Sequence, residues 1–117
     1  MTVIHLQILI ALGCLMGAAG VALLAMGAHS KPGAGLESAG SVLLFHAPAV
    51  MAATFVLGGF PLGFIAIAGF ILGAGLFAGD IALRAYGKRR LFRFAPPAGG
   101  LILIASWVLL AVAALLI

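Results

Sequence analysis

Four side chains have the types and spacing from which chemistry is built: His29, His46, Asp80 and Arg84. Asp80 and Arg84 stand four residues apart with the acid first, the favourable order for an ion pair along a helix. An Asp inside a bilayer costs ~2.5–3.5 kcal/mol on insertion scales, so it marks a functional site unless a partner explains it. Asp80 therefore reads in two ways. It is either the partner of Arg84, whose long stem reaches the interface, or a group that binds a proton or ligand. A contact between Asp80 and His46 would form a proton relay. His46 is either a hydrogen-bonded packing residue, with the Leu44 carbonyl freed by Pro48 as one candidate partner, or a metal or haem ligand. His29 lies shallower and His5 at the opposite end of its run, so neither matches His46 in depth. The sequence has no HExxH, and its acids and thiols are too few for a zinc or calcium site. No metal and no cofactor is expected. His29 is expected to touch the last carbonyls of its helix. The only carboxylates are Glu37 and Asp80, so no Ser–His–acid set assembles and an enzyme is not expected.

The elements that must position these groups are apolar. The 117 residues are 66% hydrophobic and 7% charged, with a mean hydropathy of +1.39. A soluble domain of this size cannot hide so much apolar surface. Spanning helices need ~20 residues each, and the breaks in the sequence predict four, at about 3–28, 39–57, 62–86 and 97–117. The expected fold is all-α: a single domain, 1–117, forming an antiparallel four-transmembrane-helix bundle. Pro32, Gly33 and Gly35 mark the first connection, Gly58 to Pro61 the second. Pro48 falls inside the second helix, where a kink near Leu44–Pro48 is expected. On this frame Asp80 lies ~9 Å inside Tyr86 and His46 ~10 Å inside Ala39, at 1.5 Å per residue. Both would share one leaflet, with His29 at its mouth.

Glycines predict where helices approach. Gly13, Gly17 and Gly20 share a face of helix 1, and Gly69 with Gly73 and Gly75 with Gly79 form two small-xxx-small stripes on helix 3. Helix 3 is therefore expected to sit centrally, with neighbours on more than one side. Cys14, alone in the chain, is expected to be a small packing residue, and the mid-helix Trp107 a packing residue rather than an interfacial anchor.

Five of the six Lys/Arg residues lie between Asp80 and Gly100: Arg84, Lys88, Arg89, Arg90 and Arg93. The net charge of +4 points to a membrane surface rather than nucleic acid, because the cations form one cluster between apolar runs. The positive-inside rule makes loops 29–38 and 87–95 cytoplasmic and both termini external, as expected for a bacterial inner-membrane protein. Lys88, Arg89, Arg90 and Arg93, facing the N–H groups of Ala98, Gly99 and Gly100 at the start of helix 4, form a candidate site for an anionic head group.

Several segments also resemble a known family. Met26-Gly27-Ala28-His29 resembles the GAxGAH that closes its first helix, and Phe45-His46-Ala47 its xxHA segment. Gly75-Leu76-Phe77-Ala78-Gly79 resembles its LFxG segment, and Ala95-Pro96, Gly99-Gly100 and Ser106-Trp107 resemble its APxGG…GW ending. The family is that of the small four-helix membrane proteins grouped as domain of unknown function 423. The chain departs from it at Asp80, where Ser is expected, and at Pro97. The resemblance implies a four-helix membrane fold and no assigned activity.

Three functions follow as expectations. The first is a non-catalytic helix-packing protein, an accessory, assembly or oligomeric membrane component. The second is an oligomeric proton or small-solute pathway using His46 and Asp80. The third is anionic-lipid binding at the basic face. The expected partners are anionic lipids, further copies of the chain or a larger membrane complex.

Overall fold

The computed structural model describes residues 3–29, 35–87 and 95–117, the last stretch with side chains from Ala98. It contains α1 (Val3–Ala28), α2 (Leu36–Leu57), α3 (Pro61–Gly87) and α4 (Ala95–Leu116), with no strand among the described residues. Each helix is long and apolar enough to cross a membrane, so the chain is an integral membrane protein of four-helix, all-α architecture.

Local chemistry sets the boundaries. Gly35 adopts φ +80°, a left-handed turn that glycine makes without steric cost, and its carbonyl accepts the Ala39 N–H at 3.0 Å. α2 thus begins at Leu36, three residues before the sequence suggested. Glu37 falls in its first turn, where a negative charge suits the helix dipole. α3 opens on Pro61, whose missing N–H costs nothing at that position. The link before it is held by Gly58 N–H to Thr54 O at 3.0 Å and Phe60 N–H to Leu57 O at 3.1 Å. α2 runs through Pro48 to Leu57 as one helix.

Sequential helices pack side by side: α1 along α2, α2 along α3, and α3 along α4. α1 touches α3 only slightly, and α1 and α4 share no substantial contact. α2 and α3 are thus the inner pair. In their most apolar stretch 39% of residues are buried, against 22% for α1 and α4. The core between them is built from small residues and a few large ones: Ala39, Ala47, Val50, Ala66, Ile67, Phe70 and Ala74. The outer helices bury single stripes, Leu9, Gly13, Met16 and Gly20 on α1 and Gly99, Leu103 and Ser106 on α4. Their steps of four and three residues keep one face toward the neighbour. Phe45, Phe55, Leu101 and Leu115 point outward as lipid-facing surface.

The α1–α2 and α3–α4 hairpins each close on a reciprocal glycine contact. A Cβ on Gly20 would stand 3.0 Å from the Gly40 carbonyl oxygen, and one on Gly40 2.8 Å from that of Gly20. In α3 and α4 the same holds for Gly73 and Gly99, at 2.9 and 2.8 Å. At these points two backbones come close, which only small residues allow. Cys14 is exposed on the outer side of α1, contrary to expectation. The α1 face that meets α2 is taken by Gly13 and Met16 on either side of it.

Candidate functional site: two polar centres in the membrane interior

The first centre is His46. With α2 starting at Leu36, it lies ten residues, ~15 Å, from the helix start, at the middle of α2 rather than near one edge. Its Nδ1 lies 2.7 Å from the Val42 carbonyl oxygen, one turn back on its own helix. Its Nε2 accepts the indole N–H of Trp107 on α4 at 3.0 Å. An indole nitrogen only donates and a carbonyl only accepts, so the partners select one neutral form, with the proton on Nδ1. Phe70 of α3 completes the cluster. Its ring centroid is 5.5 Å from that of His46 and 4.6 Å from that of Trp107, and His46 and Trp107 are 5.8 Å apart. All three pairs are tilted at 54–58°, an arrangement worth ~0.5–1.5 kcal/mol per aromatic pair beyond the area buried. One polar side chain thereby ties three helices together. A metal or haem iron would reach His46 only by displacing Trp107 or breaking the bond to Val42.

His46 therefore bonds the Val42 carbonyl, not that of Leu44. Trp107 packs on Phe70 and His46 while 47% of its surface stays exposed, and it is also a hydrogen-bond donor that sequence reasoning missed. A signal for it existed. An indole N–H in lipid needs an acceptor, and Trp107 lies twelve residues into α4, ~18 Å by helical rise, close to the depth of His46 on a helix that starts from the same side.

The second centre is Asp80. It is 0% exposed, and the Nε of Arg84 lies 3.0 Å from its Oδ2. The pair predicted from spacing is formed. Arg84 remains 40% exposed, so its head reaches polar surroundings while its stem covers apolar surface. Counting along α3, Gly69, Gly73 and Asp80 recur at steps of four and seven and share a face. Gly69 and Gly73 meet α4 there, at Ser106 and Gly99, so Asp80 belongs to the face of α3 turned toward α4.

The two centres do not meet. His46 packs on Phe70, and Asp80 lies ten residues further along α3, ~15 Å by helical rise. The contact that would make a proton relay is not formed. His29 is exposed at the end of α1, with its backbone N–H bonded to the Met26 carbonyl at 3.2 Å. Of the four candidate residues, only Asp80 and Arg84 come together. Other polar groups inside the membrane bond to their own helix: Thr54 Oγ1 donates to Val50 O at 2.6 Å and Ser106 Oγ to Ile102 O at 2.7 Å.

Lys88, Arg89, Arg90 and Arg93 lie outside the described residues. The helix start they were expected to face is different from the one inferred. α4 begins at Ala95, so Gly99 and Gly100 lie beyond the four residues whose N–H groups lack helical partners. Gly99 is buried against Gly73, not open to an anion. The packing glycines also divide. Gly13 sits against Met51 and Val50, Gly17 against Ala47, Gly73 against Gly99, and a Cβ on Gly69 would overlap the Ser106 hydroxyl. A Cβ on Gly75 would meet nothing within 4 Å. Gly75 and Gly79 instead line an open groove between α1 and α3, so this second stripe has no helix seated on it.

No protein family, curated protein or solved structure matches the chain.

Proposed function

We propose that this protein is a non-catalytic, helix-packing component of a bacterial inner membrane, an accessory or assembly protein of the kind grouped as domain of unknown function 423. The connections from α1 to α2 and from α3 to α4 face the cytoplasm in this reading, and both termini lie outside. The observation that carries it is His46. At the middle of α2, this side chain spends both ring nitrogens on joining α2 to itself and to α4. A group serving as a proton carrier needs a free nitrogen or a mobile partner, and here both positions are engaged. The separation of ~15 Å between His46 and Asp80, taken along α3, also favours packing over a relay within one protomer.

Reconstitution into proteoliposomes tests this. Proton flux should equal that of protein-free vesicles, and Asp80→Asn should lower yield without changing flux. Flux that disappears in Asp80→Asn or His46→Gln would replace the packing role with a pathway. Purification from native membranes in mild detergent should then recover a constant protein partner.

A further inference from the structure

We propose that Arg84, held in place by the buried Asp80, binds the phosphodiester group of a membrane phospholipid through its two Nη groups. Asp80 is 0% exposed, and its Oδ2 lies 3.0 Å from the Nε of Arg84, whose side chain stays 40% exposed. This contact engages Nε. The two Nη groups carry four more N–H donors, set in the planar fork that fits two phosphate oxygens at once. Folding alone gives weak grounds for such a pair. Replacing a buried ion pair as a unit by apolar residues is often neutral or stabilising. A buried carboxylate does fix the direction of a long, flexible side chain, and so lowers the entropy that a ligand would otherwise have to remove.

Depth selects the ligand. α3 runs from Pro61 to Gly87, so its middle falls at Ala74, and Arg84 lies ~15 Å beyond that by helical rise. With α3 centred in the bilayer, a hydrocarbon core ~30 Å thick ends at this level and the head-group layer begins. Arginines near helix ends ordinarily extend toward water. Arg84 instead meets Asp80, one turn nearer the middle of the helix, so its exposed head stays at the boundary. A guanidinium facing lipid there needs an acceptor. The phosphodiester is the anionic acceptor that phospholipids place at that level.

Asp80 offsets the arginine charge, so recognition comes from the geometry of the donors rather than from net charge. Zwitterionic and anionic phospholipids therefore serve alike, and a diacylglycerol, which lacks the phosphate, does not. Asp80 is a positioning residue in this site, and Arg84 is the residue that touches the lipid. The inference goes beyond the packing role and does not depend on it, since a packing protein and a proton pathway could both hold a lipid phosphate here.

The test makes Arg84 the only arginine of the chain, by Arg89→Lys, Arg90→Lys and Arg93→Lys, and labels its guanidinium nitrogens with a magnetic isotope. In phosphatidylcholine bilayers and phosphate-free buffer, lipid phosphorus should dephase the Nη signal in solid-state NMR. The N···P distance should be about 4 Å, that of a direct N–H···O–P contact. Asp80→Asn leaves the cation in place and should lower the dephasing several-fold, a change that a purely structural pair would not produce. No dephasing in the single-arginine protein overturns the proposal. A signal that appears only when inorganic phosphate is added assigns the donors to a free anion and overturns the lipid seat. Dephasing unchanged by Asp80→Asn removes the positioning role. Native mass spectrometry gives a reading that does not depend on that variant. The wild type should retain phosphatidylcholine several-fold over diacylglycerol with the same chains. Asp80→Leu with Arg84→Leu, which removes the pair as a unit, should abolish the difference. A difference that survives the double replacement places the lipid phosphate elsewhere.

Discussion

The two polar centres solve the same problem in opposite ways. His46 sits at mid-helix, neutral, and shares its hydrogen bonds and ring faces among three helices. Asp80 lies two helical turns from the end of α3 and forms an ion pair with Arg84 on the same helix. The difference follows from depth. At the middle of the membrane nothing but protein can satisfy a polar group, so a neutral ring with two fixed partners is the cheap solution. Near the edge, an arginine can hold a buried carboxylate while its head remains 40% exposed. The deep centre therefore contributes tertiary connectivity, and the shallow one makes a local charge tolerable.

The largest effect should come from the shallow centre. Arg84→Ala removes the arginine paired with the 0% exposed Asp80, and unfolding titrations in mixed micelles should show a loss of ~3 kcal/mol, the low end for a broken buried pair because Arg84 is partly wet. Arg84→Lys should recover most of it. A loss smaller than that from His46→Phe would mean that water reaches Asp80, and the contrast in depth would collapse.

Next comes the stretch of α3 between the centres. Gly73→Ala places a methyl 2.9 Å from the Gly99 carbonyl, and the backbone shift should cost ~1–3 kcal/mol. Because that shift moves α4, emission from Trp107, the only tryptophan in the chain, should change as well. Unchanged emission would show that the two centres are mechanically independent.

A double-mutant cycle of His46→Phe and Trp107→Phe isolates the deep hydrogen bond. Both replacements keep an aromatic ring, and the coupling should fall near 0.6 and below ~1.7 kcal/mol, the range for such bonds in membranes. A coupling near zero would reduce the deep centre to ring packing. The smallest effect belongs to Gly75→Ala, whose methyl enters open space. Stability should change by less than ~0.5 kcal/mol or rise slightly, since alanine favours the helix. A loss comparable with Gly73→Ala would mean that a helix occupies the groove after all.

Much of this protein is written locally. Four apolar runs of spanning length, the turns between them and the pairing of Asp80 with Arg84 follow from hydropathy, glycine and proline chemistry and the helical repeat, all of which act over a few residues. The helix starts shifted by one to three residues because Gly35 and the prolines set the first turns, and a polar residue such as Glu37 belongs to a helix start as readily as to a loop. Only the tertiary structure decided the rest. His46 and Trp107 are 61 residues apart, and their bond exists because α2 and α4 come within reach across α3 at matching depth. Gly69 with Gly73 and Gly75 with Gly79 have the same spacing on the same helix, yet α4 covers the first pair and leaves the second facing lipid. Small residues permit close approach on every face they occupy, but the packing of the whole chain determines which face receives a neighbour.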